Sequence, residues 1–368
     1  MTKRTAFILL TSPFQLVYAE ILLSKFKNIN KVGLIIHPSL NENSFNTIKR
    51  NSKILGYQKI FDLRFIGKKI EKIENIRLYK KIFFKKKIKQ YLNKKKFLKE
   101  LIKKKIKINS GDIFILREKY NIYEEIYYYR NEFEYFGIKE GLDQEFKFSA
   151  EFGFFNSFEI FLKRLISNCV LKIKFFNQLN EFNEFIKKKN ITFTNKTSKG
   201  FNNKILKKII FKLSKNYNNK YKNIKTMIFS HPLIENKKIF NTNPKKEARI
   251  YNNLYHYAKK GGKLRQKEII LKIHPRISKK NYNLIKKYLR FKVIDFNDHT
   301  LSEVFLFSKK LKTIYSTGSS ILLYAKYLFN KKSFFVSLKN LNINFAYSKS
   351  IEKIFKKNKF DIIRLDDY

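Results

Sequence analysis

Two short apolar runs, each followed by a helical pattern, constrain the fold of this 368-residue chain most strongly. The runs are Ile269 to Ile273 and Thr313 to Tyr315, and each is too short for a helix but suits a buried strand. Buried strands that alternate with helices are typical of a doubly wound parallel sheet. The sequence therefore predicts an α/β protein whose ligand lies at the carboxyl ends of these strands.

A polar motif follows each run directly. His274 and Pro275 follow the first run, and Gly318, Ser319 and Ser320 follow the second. The proline keeps the residue before it in extended backbone, which fixes the direction of the histidine. The serines begin a helix, where free N–H groups, the positive end of the helix dipole and two hydroxyls suit a phosphate. We therefore expect a phosphate site beside an imidazole.

The start of the chain shows the same alternation, with a strand at Ala6 to Leu10 and an amphipathic helix at Phe14 to Phe26. The length suffices for two medium domains, predicted as 1–200 and 201–368 with a linker within Lys187 to Asn223. No G-x-G-x-x-G occurs, so the dinucleotide fingerprint is absent. Five further strands are predicted at Val32 to Ile36, Ile60 to Ile66, Asp112 to Leu116, Phe133 to Ile138 and Thr226 to Ser230.

A net charge of +52 indicates a polyanionic partner: nucleic acid, anionic lipid or acidic glycan. The abundance of Lys, Asn, Ile, Phe and Tyr also matches the composition that an AT-rich genome produces. The charge is densest in Lys68 to Lys107, which holds 18 Lys or Arg and three Glu with apolar residues at helical spacing. This basic block is either a solvated helix face or a surface for an anionic membrane or acceptor.

The remaining composition argues against several classes of protein. The single cysteine, Cys169, rules out an internal disulfide framework and fits a reducing compartment. No segment has the roughly 20 apolar residues of a transmembrane helix, and the opening is a poor signal peptide. No Asp-x-Asp and no zinc spacing occur, so no metal is expected. We expect a cytoplasmic protein, at most peripheral on the inner face of the cytoplasmic membrane.

The combination of a Lys-x-His-Pro motif with a Gly-Ser-Ser after the next strand resembles the nucleotide-binding half of bacterial sialyltransferases. The polysialyltransferases of glycosyltransferase family 38 and the lipooligosaccharide sialyltransferases of family 52 are the similar groups. The resemblance implies a GT-B fold, with two Rossmann-like domains facing a cleft, and CMP-sialic acid as donor without a metal or other cofactor. It implies that His274 is catalytic and that the donor is bound by Lys272, Pro275, Gly318, Ser319 and Ser320.

The base that activates the acceptor has two candidates. At the matching position the family carries two acids and a glycine, with the second acid as base; here Glu140 and Gly141 match, but Lys139 replaces the first acid. A carboxylate at a strand end beside a glycine suits proton removal from an acceptor hydroxyl. Family 52 enzymes use an acid just after a later strand, which makes Glu235 the alternative base.

The leading hypothesis is an inverting sialyltransferase acting on a glycan acceptor, either capsular polysialic acid or lipooligosaccharide. One alternative is a CDP-glycerol-type teichoic acid glycerophosphotransferase, which has a similar pair of motifs. The other is a non-enzymatic polyanion- or nucleic-acid-binding protein, although no RNP, zinc-finger or helix-turn-helix signature occurs. By analogy with GT-B enzymes, the tail from Ile351 to Tyr368 is expected to cross back onto the first domain.

Overall fold

The chain forms two compact units in a computed structural model. The first unit holds the described residues of Met1–Leu40 and Ser52–Glu140, and the second holds those of Asn41–Asn51 and Asn203–Tyr368. The structure describes residues 4–35, 40–65, 109, 111–117, 134–138, 203–215, 221, 223–236, 242–262, 264–338 and 345–365.

The first unit contains a five-stranded sheet in the order β3-β2-β1-β4-β5, and every pair of neighbouring strands is parallel. Helix α1 (Gln15–Leu23) connects β1 to β2, and helix α2 (Glu42–Leu55) connects β2 to β3. Helix α2 starts among the residues that cluster with the second unit. The strands are β1 (Thr5–Leu9), β2 (Asn30–Ile35), β3 (Lys59–Asp62), β4 (Ile113–Arg117) and β5 (Glu134–Ile138).

The second unit contains a five-stranded parallel sheet in the order β10-β9-β8-β6-β7. Its strands are β6 (Thr226–Phe229), β7 (Ile269–Lys272), β8 (Thr313–Ser316), β9 (Lys332–Ser337) and β10 (Asp361–Arg364). Its helices are α3 (Asn203–Ser214), α4 (Pro244–Gly262), α5 (Lys279–Tyr288), α6 (Ser302–Phe305), α7 (Ile321–Phe329) and α8 (Phe345–Lys357).

Strand β6 and strand β7, which ends the sheet on that side, have both of their faces covered. All four residues of β6 and all four of β7 are buried, which is the pattern of a parallel sheet between helical layers. Helix α4 contributes Tyr251, Leu254 and Ala258 to the core beneath β7, and the lysines at its end remain exposed. The sheet edge therefore rests on a rigid core.

The predicted α/β class, with two doubly wound parallel sheets, is confirmed; strands β1 to β8 lie close to their predicted positions, whereas β9 and β10 were not predicted. The strand predicted to extend to Ile66 ends at Asp62. The prediction for the tail was wrong, because β10 pairs with β9 and belongs to the second unit. Helix α3 lies within the predicted linker, where its leucines and isoleucines form a buried stripe. The domain boundary near residue 200 stays a prediction, since residues 139–202 lie outside the described ranges.

None of the helices that the structure describes is long and apolar enough to cross a membrane. The basic block predicted from Lys68 to Lys107 lies outside the described residues, so its conformation and its partner stay predictions.

Replacement of Leu271 by Ala is expected to lower the free energy of unfolding of the second unit by about 2 to 5 kcal/mol. The side chain is fully buried in β7, so its removal leaves a cavity between the sheet and helix α4. The matched control is Leu284→Ala on helix α5, where the side chain is 37% exposed and the change is expected to stay within about 0.5 kcal/mol. Urea denaturation followed by circular dichroism measures the free energy of unfolding of both variants. Equal losses of stability would contradict the assignment of Leu271 to the core.

Candidate active site

Three strands bring the predicted motifs to one edge of the second sheet. Strand β6 pairs with β7 on one side and with β8 on the other, and Phe229 lies opposite both Lys272 and Ser316. His231, His274 and Gly318 each stand two residues beyond this row. The motifs that the sequence separates by more than 80 residues therefore end their strands at the same level.

His274 is half-buried and its orientation is set by its neighbours. Its backbone N–H donates to Ser230 Oγ at 2.6 Å, and its ring Nδ1 accepts the N–H of Arg276 at 3.1 Å. Because Nδ1 is an acceptor, the neutral ring carries its proton on Nε2. Removal from water, followed by the charges of Arg276 and His231, holds the pKa of His274 well below its usual range. The ring is therefore a neutral donor at neutral pH.

His231 is a second half-buried imidazole at this edge. Its Nδ1 lies 3.9 Å from the position that a Cβ on Gly318 would occupy, so its ring borders the glycine turn. Removal from water and the charge of Arg276 lower the pKa of His231 to about 4. Its carbonyl accepts the N–H of Leu233 at 2.8 Å, so the residue also stabilises the turn that follows β6.

The glycine turn leads directly into helix α7. Gly318 has φ +142°, a conformation that side chains rarely adopt, and a Cβ there would lie 3.2 Å from Ile351 Cδ1. The N–H of Ser319 donates to Ser316 Oγ at 3.3 Å, which ties the turn to the end of β8. Ser320 stands at the N-cap of α7, and its side chain makes no capping bond there. This hydroxyl and the positive end of the helix dipole face no capping group, whereas the N–H of Ile321 already donates to Ser319 Oγ at 3.3 Å and the N–H of Leu322 to the Ser319 carbonyl at 3.2 Å.

One buried hydroxyl in this turn has no hydrogen-bond partner. The side chain of Thr317 is 1% exposed, and Oγ1 has neither a donor nor an acceptor among the described residues. Buried polar groups are normally paired, so an unpaired one beside the glycine turn is consistent with a ligand site.

Lys272, predicted to bind the donor, is 8% exposed, and its Nζ donates to the carbonyl of Asp298 at 2.8 Å. The ammonium also lies 5.8 Å from the centre of the Phe305 ring. Burial, with a contribution from the charge of Arg50, lowers the pKa of Lys272 to about 8. In this arrangement Lys272, at the end of β7, holds the loop that follows α5. Its contact with a donor phosphate stays a prediction.

The loop that carries Pro275 is held from helix α2. Ser44 Oγ donates to the Pro275 carbonyl at 3.1 Å, and Asn41 Nδ2 donates to the Ile277 carbonyl at 3.3 Å. Further along α2, Asn51 Nδ2 donates to the His299 carbonyl at 3.0 Å. These polar residues were missed by sequence reasoning, because they carry no motif and their partners lie more than 200 residues away.

Glu235, the alternative base, is engaged at the start of helix α5. Its Oε1 accepts the N–H of Ser278 and the side-chain amide of Asn281, both at 2.8 Å. Ser278 is the N-cap of α5, so the carboxylate supports the first turn of that helix. Glu140 lies outside the described residues, and the choice between the two bases stays a prediction. Among the described residues, no group of three or more His, Cys, Asp or Glu is placed to hold a metal.

Two buried polar residues of helix α4 were also missed. Glu247 is fully buried, and desolvation raises its pKa to about 7. Tyr251, one turn later, donates to Glu247 Oε1 at 2.9 Å and reaches the turn after β6. The only signal in the sequence was a Glu and a Tyr four residues apart on a helix face that is otherwise apolar.

Replacement of Gly318 by Ala is expected to cost about 1 to 3 kcal/mol of unfolding free energy, because the new Cβ meets Ile351 in a strained backbone conformation. The matched control lies in the same unit. Gly261 is helical and no atom lies within 4 Å of where a Cβ would stand, so Gly261→Ala is expected to be neutral or slightly stabilising. Thermal unfolding of both variants measures the difference, and similar melting temperatures would contradict the strained turn.

Comparisons with solved structures return weak likenesses over nearly the whole chain. A UDP-N-acetylglucosamine 2-epimerase has a TM-score of 0.41 at 9% identity, with 100% of each chain covered. A 2,6-sialyltransferase from Photobacterium sp. JT-ISH-224, solved with CMP and lactose, has a TM-score of 0.44 at 11% identity, covering 98% of this chain and 78% of that chain. The GT-B domain of a Photobacterium damselae sialyltransferase has a TM-score of 0.43 at 8% identity, covering 98% and 99%.

No curated protein sequence matches the chain significantly. A family model does match: the model described as alpha-2,8-polysialyltransferase (POLYST) spans residues 6–338. That span includes both sheets up to β9 and all three strand ends of the candidate site. The chain therefore belongs to the α-2,8-polysialyltransferase family of glycosyltransferases.

Proposed function

We propose that this chain is an inverting, metal-independent sialyltransferase that moves sialic acid from CMP-sialic acid to a glycan acceptor. The proposal rests on family membership and on one observation in the structure. The neutral His274 ring follows β7 and the N-terminus of helix α7 follows β8, and these two strands flank β6 and end at the same level of the sheet. Such an edge suits the phosphate of a nucleotide donor.

In this proposal the site stabilises a departing phosphate. The bond between the anomeric carbon and the phosphate oxygen of the donor breaks, and its electron pair stays on CMP. His274 Nε2–H and the Ser320 hydroxyl donate to that phosphate, together with the dipole of α7. A bound phosphate dianion raises the pKa of the imidazole. A ring that is neutral in the free protein therefore becomes more basic once the phosphate is bound. A nucleotide phosphate is a good leaving group, so charge stabilisation matters more than a strong acid.

The acceptor hydroxyl attacks from the opposite face, which inverts the configuration at the anomeric carbon. Its oxygen forms the new glycosidic bond, and its proton passes to the general base, which we assign to Glu140. Glu235 is the less suited base because one of its oxygens already accepts two hydrogen bonds from helix α5. Loss of those bonds would accompany its use as a base.

The acceptor is proposed to be anionic, either capsular polysialic acid or lipooligosaccharide. A chain with net charge +52 attracts a polyanion over a long range, and a growing acceptor would remain close between additions. The basic block from Lys68 to Lys107 would also attract an anionic leaflet, at about 1 kcal/mol for each cation near the surface. The protein would then act peripherally at the inner face of the cytoplasmic membrane.

The first test is thermal unfolding of the protein with CMP, CDP, UDP or GDP in buffer without divalent metal. CMP is expected to raise the melting temperature selectively through ligand linkage. Stabilisation by CDP alone would favour a CDP-glycerol-type transferase, and the absence of any shift would refute the proposed donor.

His274→Ala is expected to lower transfer from CMP-sialic acid by roughly 100- to 10,000-fold, because the phosphate loses its main side-chain donor. The matched control is His256→Ala, since His256 is exposed on helix α4 and takes no part in the strand-end site. Product formation by chromatography measures both variants. Intact transfer by His274→Ala would refute the mechanism.

Glu140→Gln is expected to abolish transfer while the thermal shift with CMP is retained, because the base acts on the acceptor and not on the nucleotide. Glu235→Gln keeps an oxygen that can accept from Ser278 and is expected to stay active. The two isosteric variants are compared by product formation and CMP-induced stabilisation. The reverse pattern would reassign the base to Glu235.

A further inference from the structure

The hydroxyl of Tyr251 lies where the two His-Pro turns approach each other. The ring is fully buried in helix α4, and the phenol oxygen is 3.3 Å from the carbonyl oxygen of His231 and 2.9 Å from Glu247 Oε1. Burial and the charge of Glu247 raise the pKa of Tyr251, and hydrogen bonding from the Ser230 hydroxyl lowers it by less. Ser230 Oγ in turn accepts the backbone N–H of His274 at 2.6 Å. The Tyr251 hydroxyl therefore contacts the backbone of His231 directly and is connected to the backbone of His274 through the Ser230 side chain.

The protons of this network can be assigned from the chemistry of its groups. Ser230 Oγ accepts from His274, so its own proton is free to donate to the phenol oxygen, and the phenol has one proton for two acceptors. When Glu247 is ionised, that proton goes to the carboxylate. When Glu247 is protonated, the carboxyl donates to the phenol, and the phenol proton is free for the His231 carbonyl. Glu247 thus controls which contact Tyr251 makes with the His231 turn.

Burial of the Glu247 carboxyl group costs free energy, because the group loses its contact with water. Its second oxygen accepts the N–H of Ile234 at 3.0 Å, but no cation forms an ion pair with it within the described part of the chain. Desolvation, with the charge of Glu235 as a smaller contribution, raises the pKa of Glu247 to about 7 against the two hydrogen bonds that lower it. A buried carboxyl that is kept without a counter-ion indicates a role beyond folding.

We propose that Tyr251 and Glu247 are positioning residues for the transfer reaction, which hold the turns carrying His231 and His274 at the level where the donor phosphate binds. This rests on the function proposed above. Neither side chain touches the substrate. Tyr251 acts on the His231 carbonyl and, through Ser230, on the backbone of His274, so both imidazoles share one anchor. A displacement of about 1 Å in such a catalytic group can cost on the order of 100-fold in rate.

The test compares two Tyr→Phe variants on the same helix. Tyr251→Phe removes the shared hydroxyl and keeps the ring in the core. Tyr255→Phe is the matched control, because Tyr255 lies one turn later, is 4% exposed and packs its ring on Phe291. At saturating CMP-sialic acid, Tyr251→Phe is expected to lower kcat by roughly 10- to 100-fold with little change in the donor KM, and Tyr255→Phe is expected to leave both unchanged. Equal kcat values for the two variants would overturn the proposal.

Ser230→Ala provides a second route if Tyr251→Phe folds poorly. It interrupts the link to His274 with a smaller change in the core and is expected to lower kcat as well. In the double variant the losses should not add, because both substitutions break one chain of hydrogen bonds. Independent, additive losses would show that the two residues act separately and would overturn the shared anchor.

A measurement without turnover separates this inference from the proposed function. The imidazole C–H resonances of His231 and His274 are followed by NMR in the wild-type protein and in both tyrosine variants. Tyr251→Phe is expected to shift both resonances, while Tyr255→Phe leaves them in place, whether or not the chain transfers sialic acid. Unmoved resonances would overturn the anchor. Inactivity of a wild-type protein whose resonances respond as expected would refute only the proposed reaction.

Discussion

The candidate site depends on the pairing of β6 with a parallel strand on each side. Parallel ladders fix the register of neighbouring strands, and a slip of one residue would turn every side chain to the opposite face. With Phe229 opposite both Lys272 and Ser316, the residues two positions further on leave the sheet at one level. The buried apolar core on helix α4 makes this register costly to change, and the hydrogen bond from His274 N–H to Ser230 Oγ joins the ends of β7 and β6 directly.

Burial at this edge produces an unusual electrostatic state for so basic a protein. Desolvation and the charge of Arg276 keep both imidazoles neutral, and burial lowers the pKa of Lys272 to about 8. The free site thus contains two neutral imidazoles, while Lys272, with its pKa of about 8, stays largely protonated at neutral pH. In the proposed reaction, the donor phosphate would supply the negative charge that favours the protonated form of these bases.

The polar residues around the strand ends determine the geometry, and the sequence offered little sign of them. The Gly-Ser-Ser turn and the His-Pro motif were identified because glycine, proline and a helix start restrict the backbone locally. Ser44 and Asn41 bond the loop after β7 from a helix more than 200 residues earlier. Tyr251 and Glu247 looked like ordinary positions in an amphipathic helix. Strands β9 and β10 and helix α3 were missed; β10 and α3 are rich in charged residues, and only tertiary burial stabilises them.

By itself the sequence determined the α/β class, the positions of most described strands and the identity of the strand-end motifs, because apolar runs and Gly or Pro turns act over a few residues. The tertiary structure decided that His231 joins His274 beside Gly318 and that Lys272 binds a backbone carbonyl. It also decided that Tyr251 connects the two turns. These relations depend on strand order and on register between segments far apart in the chain, and local propensity carries no information about either.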